Sequence, residues 1–297
     1  MRAAVNGVEL YFDVHGAGLR PDGERLVDTP AVLVLHGGPG LDHTALVPWL
    51  APLTTVCQLV YVDHRGNGRS SRPPLGACTL EAMADDVEGL RRHLGLRDVT
   101  VLGVSFGGMV ALTHVLRHPD GAARLILSAT APSFEFVDEA RRLARERATP
   151  DQLVEVEHVL NGTFRDDAHL RAAFARIAPL YQHRNVAAPA PDPSIVNAAM
   201  LNWFFAAGVG TYDVRPRLRE IAVPTLVLTG RHDWICPPGQ SAALLHALPD
   251  ARQVVFEASG HRPHREENEA FLRVVREFVL TGEVVGAVPG EGSGSHA

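Results

Sequence analysis

Short apolar runs alternate along the chain with segments of helical period. Residues 8–14 alternate polar and apolar, as an antiparallel edge strand does, after a turn at Asn6-Gly7, and 16–30 read as a polar loop. From residue 31 the pattern changes. The stretches 31–35, 56–62, 99–102 and 123–128 are nearly unbroken apolar runs, as expected of parallel strands buried on both faces. Between them, 79–94 and 106–116 carry helical patterns, the first with Thr79 placed as an N-cap and Gly95 at its end.

After 128 the alternation of strand and helix stops. Residues 133–213 offer no strand and four helix-like segments, at 137–147, 152–160, 169–177 and 195–205, with a proline-rich linker at 187–193. Strand pattern resumes at 224–230 and 253–257, followed by a helix from about 266 to 280. The expected fold is therefore α/β, with a mostly parallel central sheet flanked by helices. Its core spans 1–132 and 214–280, a helical cap spans 133–213, and 281–297 form a disordered tail. A cap inserted there would roof the carboxyl edge of the sheet and shape a pocket.

Composition narrows the function classes. The chain of 297 residues carries 28 Lys+Arg against 34 Asp+Glu, a formal net charge of −6, and its basic residues are not clustered, so a nucleic-acid partner is not expected. Its three cysteines, Cys57, Cys78 and Cys236, have no C-x-x-C spacing, and the start of the sequence has no apolar signal core. No run approaches the roughly 18 apolar residues of a membrane span. A cytoplasmic protein with no membrane partner and no bound metal is expected; oligomeric state is not legible.

The chemistry concentrates at the ends of the apolar runs. Gly103-Val104-Ser105-Phe106-Gly107 lies between the strand at 99–102 and the helix at 106–116, a sharp turn that would lift Ser105 above the sheet edge beside the first free N–H groups of the helix. A second turn, His36-Gly37-Gly38-Pro39-Gly40, follows the strand at 31–35. Its Gly38 N–H and that of Phe106 are placed to receive a developing oxyanion. No Lys-Ser/Thr follows to make it a phosphate loop. Asp233 and His261 follow the last two strands, so Ser, Asp and His occur in the chain order of one of the known triad folds. His261 is the expected base, with Gly260 allowing its loop a close approach and His264 as its rival. Asp233 is the expected orienting acid. His36 reads as a brace for its loop, and Asp63 as the centre of an ion-paired loop with Arg65 and Arg69. Trp203, Phe204 and Trp234 are candidates for a substrate pocket; together with Phe205, the aromatics at 203 and 204 either line an acyl pocket or pack the cap.

From about 8 to 280 the chain resembles the α/β-hydrolase superfamily. His36-Gly37-Gly38-Pro39-Gly40 together with Asp63-His64-Arg65-Gly66-Asn67-Gly68-Arg69-Ser70 is similar to its proline iminopeptidase branch. The resemblance implies the same assignments: Ser105 as nucleophile, Asp233 as acid, His261 as base, Gly38 and Phe106 as oxyanion donors. Two departures bear on substrate. The branch usually has Trp where Phe106 stands, and its cap carries acids that grip a free α-amino group. Here Glu135, Asp138, Glu139, Glu155 and Glu157 are available for that role or belong to a solvated face.

The expected activity is a cofactor-free serine hydrolase acting on a small ester, lactone or amide through an acyl-enzyme on Ser105. The alternatives are a proline iminopeptidase that takes short peptides, and a non-catalytic receptor for a small ligand.

Overall fold

The computed structural model describes residues 1–187 and 193–290. Its main sheet has nine strands in the order β1-β2-β6-β5-β7-β8-β9-β10-β11. Six of them are parallel: β5 (Ala31–Leu35), β6 (Gln58–Val62), β7 (Thr100–Val104), β8 (Arg124–Ser128), β9 (Thr225–Gly230) and β10 (Ala251–Phe256). Alternation along each strand divides the core in two. Leu33, Leu35 and Val101 face a cluster shared with α2 (Leu80–His93) and α3 (Phe106–Arg117), while Val32, Val34 and Leu102 face one shared with α10 (Asn268–Thr281). Burial of both faces explains why these strands read as unbroken apolar runs.

The margins of the sheet depart from expectation. The strand β2 (Val8–His15) is not the edge. Asn6 and Gly7 both have positive φ, 46° and 75°, which closes a tight hairpin and adds β1 (Arg2–Val5) outside β2. The loop expected at 16–30 contains an exposed hairpin, β3 (Leu19–Asp22) with β4 (Arg25–Asp28), too polar to carry an apolar alternation. At the other margin, β11 (Val288–Pro289) pairs antiparallel with β10. The disordered tail expected from 281 is thus corrected for residues 281–290; residues 291–297 lie outside the described residues, as do 188–192 of the proline-rich linker.

Between β8 and β9 the chain forms helices α4 (Phe136–Arg147), α5 (Pro150–Asn161), α6 (Asp167–Ile177) and α7 (Ala198–Trp203), after the short α1 (Val47–Leu50) earlier in the chain. A bridge between Ser133 and Asp213 joins the two ends of this insert. The chain then adds α8 (Pro238–Ala247), packed on β9 and β10, and the short α9 (Pro263–Glu266) against α10. The Thr149 cap and Gln152 form a reciprocal capping box at the start of α5, and Gly162 ends it at φ 63°.

Candidate active site

Ser105 stands where β7 turns into α3, at φ 54° and ψ −119°, a conformation that costs a non-glycine residue on the order of 1–3 kcal/mol. Close packing imposes it. A Cβ on Gly107 would overlap the Leu35 carbonyl, and one on Gly103 would overlap the Gly107 backbone, so only glycine lets the helix cross the sheet this closely. Ser105 is further tied by its N–H to Ser128 O at 2.9 Å and by its carbonyl, which accepts from Thr130 Oγ1 at 2.7 Å.

Asp233 and His261 come from the loops after β9 and β10. His261 Nδ1 lies 2.7 Å from Asp233 Oδ2, and Asp233 is 0% exposed. The other carboxylate oxygen accepts the N–H groups of Ile235 at 2.9 Å and Cys236 at 3.0 Å, so the charge is satisfied on both sides. With Nδ1–H donated to Asp233, Nε2 of His261 is left with its lone pair. Among the described residues the rival His264 has no carboxylate partner. Burial, with the charges of Arg262, His261 and Arg265, pushes its pKa down to about 3.

Ser105, His261, Gly38 and Phe106 all border one cavity of about 600 Å³. Among the described residues neither the Gly38 nor the Phe106 amide donates to a backbone or side-chain partner, and Gly38 holds φ 126°. Ser105 Oγ makes no hydrogen bond to His261 within the described residues; its side chain instead contacts the thiol of Cys236, whose pKa burial raises well above the ordinary value. Contacts between a nucleophile and its base often tighten only with substrate bound.

The cavity walls correct two pocket assignments. Phe204 lines the cavity, edge-on to Phe106 with ring centroids 5.0 Å apart, and Phe205 joins it. Trp203, one position earlier on the helix, points away into a second cavity of about 410 Å³ behind Phe204. Trp234 is 1% exposed and packs edge-on to Tyr181 at 5.4 Å, so it supports the Asp233 loop from behind. None of Glu135, Asp138, Glu139, Glu155 and Glu157 borders the main cavity. Glu135 pairs with Arg215, Glu157 and Asp138 with Arg141, and Glu139 accepts from Gln240.

Sequence reading missed Glu266. Its Oε1 accepts Gly260 N–H at 2.9 Å, and its Oε2 accepts the N–H groups of His183 at 2.6 Å and Arg184 at 2.8 Å. One buried carboxylate thus anchors the His261 loop to the insert, and Tyr181 O accepts the His261 N–H at 3.0 Å. The paired acids Glu266-Glu267 directly after the histidine loop were the available signal.

Asp63 lies at the centre of a supporting network, ion-paired with Arg69 as expected, the guanidinium 3.8 Å away, and with His43 in the place expected for Arg65. His43 Nδ1 is 2.6 Å from Asp63 Oδ1, Arg69 donates its backbone N–H at 2.9 Å, and Arg65 pairs instead with Asp86. His36 braces its loop as expected, contacting Gly37 O at 2.7 Å and accepting His64 N–H at 3.3 Å. Burial alone would raise the Asp63 pKa, but the hydrogen bond from His43 and the nearby His36 and His43 charges hold it at about 2. Burial would lower that of His43, and the Asp63 hydrogen bond together with the charges of Asp63, Asp42 and Asp13 outweighs it to leave the value raised. The depressed Asp63 value contributes stability present above its ordinary 3.8 and lost as pH falls toward 2. The raised His43 value contributes stability present below 6.5 and lost as pH rises through the folded value. Asp63→Asn should therefore destabilise most between about pH 4 and 6.5, by about 2 kcal/mol in urea melts, and progressively less below pH 3. A difference from the parent that stays flat from pH 2.5 to 6 would contradict this.

A family model described as alpha/beta hydrolase fold matches residues 30–267. The proline iminopeptidase PfmaB of Pestalotiopsis fici is 29% identical over 281 residues, covering 92% of this chain and 96% of that one. A thermophilic esterase from Thermogutta terrifontis superposes with TM-score 0.66 at 28% identity, over 94% of this chain and 98% of that one. The proline iminopeptidase of Mycobacterium smegmatis shares the fold at TM-score 0.72 and 24% identity, over 94% of this chain and 97% of that one. With its serine turn, its parallel sheet and a family match across most of its length, the chain belongs to the α/β-hydrolase fold family, with proline iminopeptidases among its relatives.

Proposed function

We propose that the chain is a serine hydrolase that takes the acyl group of a small ester or lactone onto Ser105 and passes it to water. The observation that carries this reading is the buried Asp233–His261 pair opening onto the same cavity as Ser105 and the two undonated amides of Gly38 and Phe106. Ser105 Oγ attacks the acyl carbon while its proton passes to His261 Nε2. The carbonyl electron pair moves onto oxygen, where the Gly38 and Phe106 N–H groups stabilise it. Collapse expels the leaving alkoxide, which takes the proton from His261. Water then gives a proton to His261 and attacks the acyl carbon; the second collapse returns the proton to Ser105 and releases the acid. Asp233 fixes the tautomer and stabilises the imidazolium formed in each half. No cofactor enters these steps.

Ester or lactone is favoured over an N-terminal proline peptide by the cavity wall. Among the described residues the only carboxylate bordering it is Asp42, whose oxygens already accept from Thr44, Arg69 and Ile195. An incoming ammonium would find no carboxylate with acceptor sites to spare, while Met109, Phe136, Val159 and Phe174 offer an apolar acyl chain its burial. Initial rates on p-nitrophenyl acetate, p-nitrophenyl butyrate and proline p-nitroanilide test this. The esters should turn over with kcat/KM at least 100-fold above the anilide; an anilide rate equal to the esters, in the ordinary enzyme range of roughly 10⁴ M⁻¹s⁻¹, would install the iminopeptidase reading. The three cysteines are buried and unpaired, which supports a cytoplasmic setting, and no described helix is long and apolar enough to cross a membrane.

A further inference from the structure

We infer that Glu155, His158 and His169 form a site for one divalent transition-metal cation of the zinc type, which joins α5 to α6 outside the lining of the cavity. Glu155 and His158 are three residues apart on α5 and so share a face, while His169 sits in the first turn of α6. One donor atom from each lies within 4.8 Å of the others. Ligands on a zinc ion, each about 2.0–2.2 Å from it, stand roughly 3.3 Å apart, so side-chain rotations of about 1 Å would close the set.

The carboxylate is the independent pointer. Glu155 is 4% exposed, and its Oε2 is a buried acceptor that receives no hydrogen bond, with His169 Nε2 3.6 Å away. An anionic oxygen held out of water with no donor inside hydrogen-bond distance is costly, and a cation between Glu155 and the two imidazoles removes that cost. Its Oε1 is held by Arg176, a half-exposed side chain that can swing outward. The outer contacts suit ligation. His158 Nδ1 is 2.8 Å from Thr163 Oγ1, which can accept an Nδ1–H and so leave Nε2 as the ligand atom. His169 Nδ1 now accepts from the exposed Arg165 N–H at 3.3 Å; on ligation through Nε2 the ring proton moves to Nδ1 and that N–H turns to water. Phe164 closes one side, its ring 5.7 Å from His158 and 5.2 Å from His169.

Two imidazoles and one carboxylate, with a fourth position for water, suit Zn²⁺, Co²⁺ or Ni²⁺ better than Ca²⁺ or Mg²⁺, which take oxygen donors. None of the three side chains borders the main cavity, whereas Val159 of α5 and Phe174 of α6 do. The bound ion would therefore fix the two helices that roof the cavity and take no part in acyl transfer. The sequence pattern hid the site because its third ligand lies eleven residues away on another helix.

The test is a titration of the chelator-stripped, full-length protein with Co²⁺, read by its visible d–d absorption. One equivalent should saturate, with the intense bands of four- or five-coordinate cobalt, and Zn²⁺ should displace it and raise the Tm. His158→Ala, His169→Ala and the near-isosteric Glu155→Gln should each weaken binding at least 10-fold. Arg176→Ala, which removes the resident cation, should tighten it several-fold. His183→Ala is the control, because His183 stacks on His232 with centroids 3.6 Å apart, another imidazole pair at which a metal could bind. Absence of a saturable band, a band indifferent to His158 and His169, or one abolished by His183→Ala would each overturn the assignment.

Discussion

Ser105→Ala should abolish ester turnover while the protein stays folded. Removal of the attacking oxygen leaves only the amides and the cavity to assist water, so kcat should fall by about 10⁴-fold or more with the circular dichroism spectrum and Tm unchanged. Ser105→Gly should be equally inactive yet more stable by about 1 kcal/mol, because glycine adopts φ 54° without strain. Turnover of the alanine variant within 10-fold of the parent would remove Ser105 from the mechanism.

The second large effect is expected at Asp233. Asparagine fits the same space, and its carbonyl can still accept the Ile235 and Cys236 amides, so the loop should keep its shape. What changes is the group facing His261 Nδ1. An amide N–H₂ there donates, so the ring must accept on Nδ1 and carry its proton on Nε2, the atom that has to receive the Ser105 proton. Asp233→Asn should therefore lower kcat by about 10⁴-fold near neutral pH, with KM changed little. Asp63→Asn provides the contrast, a buried aspartate of the neighbouring network whose loss should cost stability far more than rate. Equal kinetic losses in the two variants would mean that Asp233 acts as a general support of the fold.

The central sheet was legible because β5, β7, β8 and β9 are buried on both faces and must be apolar throughout. The glycines that permit Ser105 its turn, and the chain order of Ser105, Asp233 and His261, were legible for a similar reason: each answers a strict local demand. Features that depend on distant partners were hidden. Trp203 and Phe204 are adjacent in sequence, yet of the two only Phe204 borders the main cavity, since which helix face meets it is set by how the insert packs. Glu266 reads as one more charge at a helix start, and only the fold brings Gly260, His183 and Arg184 to it. Asp63 drew attention for its neighbours Arg65 and Arg69, while its closest partner is His43, twenty residues earlier. The β1–β2 hairpin lay in plain view at Asn6-Gly7, but Arg2–Val5 is too short for an alternation to stand out.

Rapid-quench mass spectrometry during turnover of p-nitrophenyl butyrate tests the central claim most directly. A butyryl group should appear on the peptide that carries Ser105, reach up to one equivalent before steady state, and decay as substrate is exhausted; Asp233→Asn should slow both its appearance and its loss. Ester turnover with no acyl group on Ser105 at any quench time, or with the acyl group on another residue, would contradict the account.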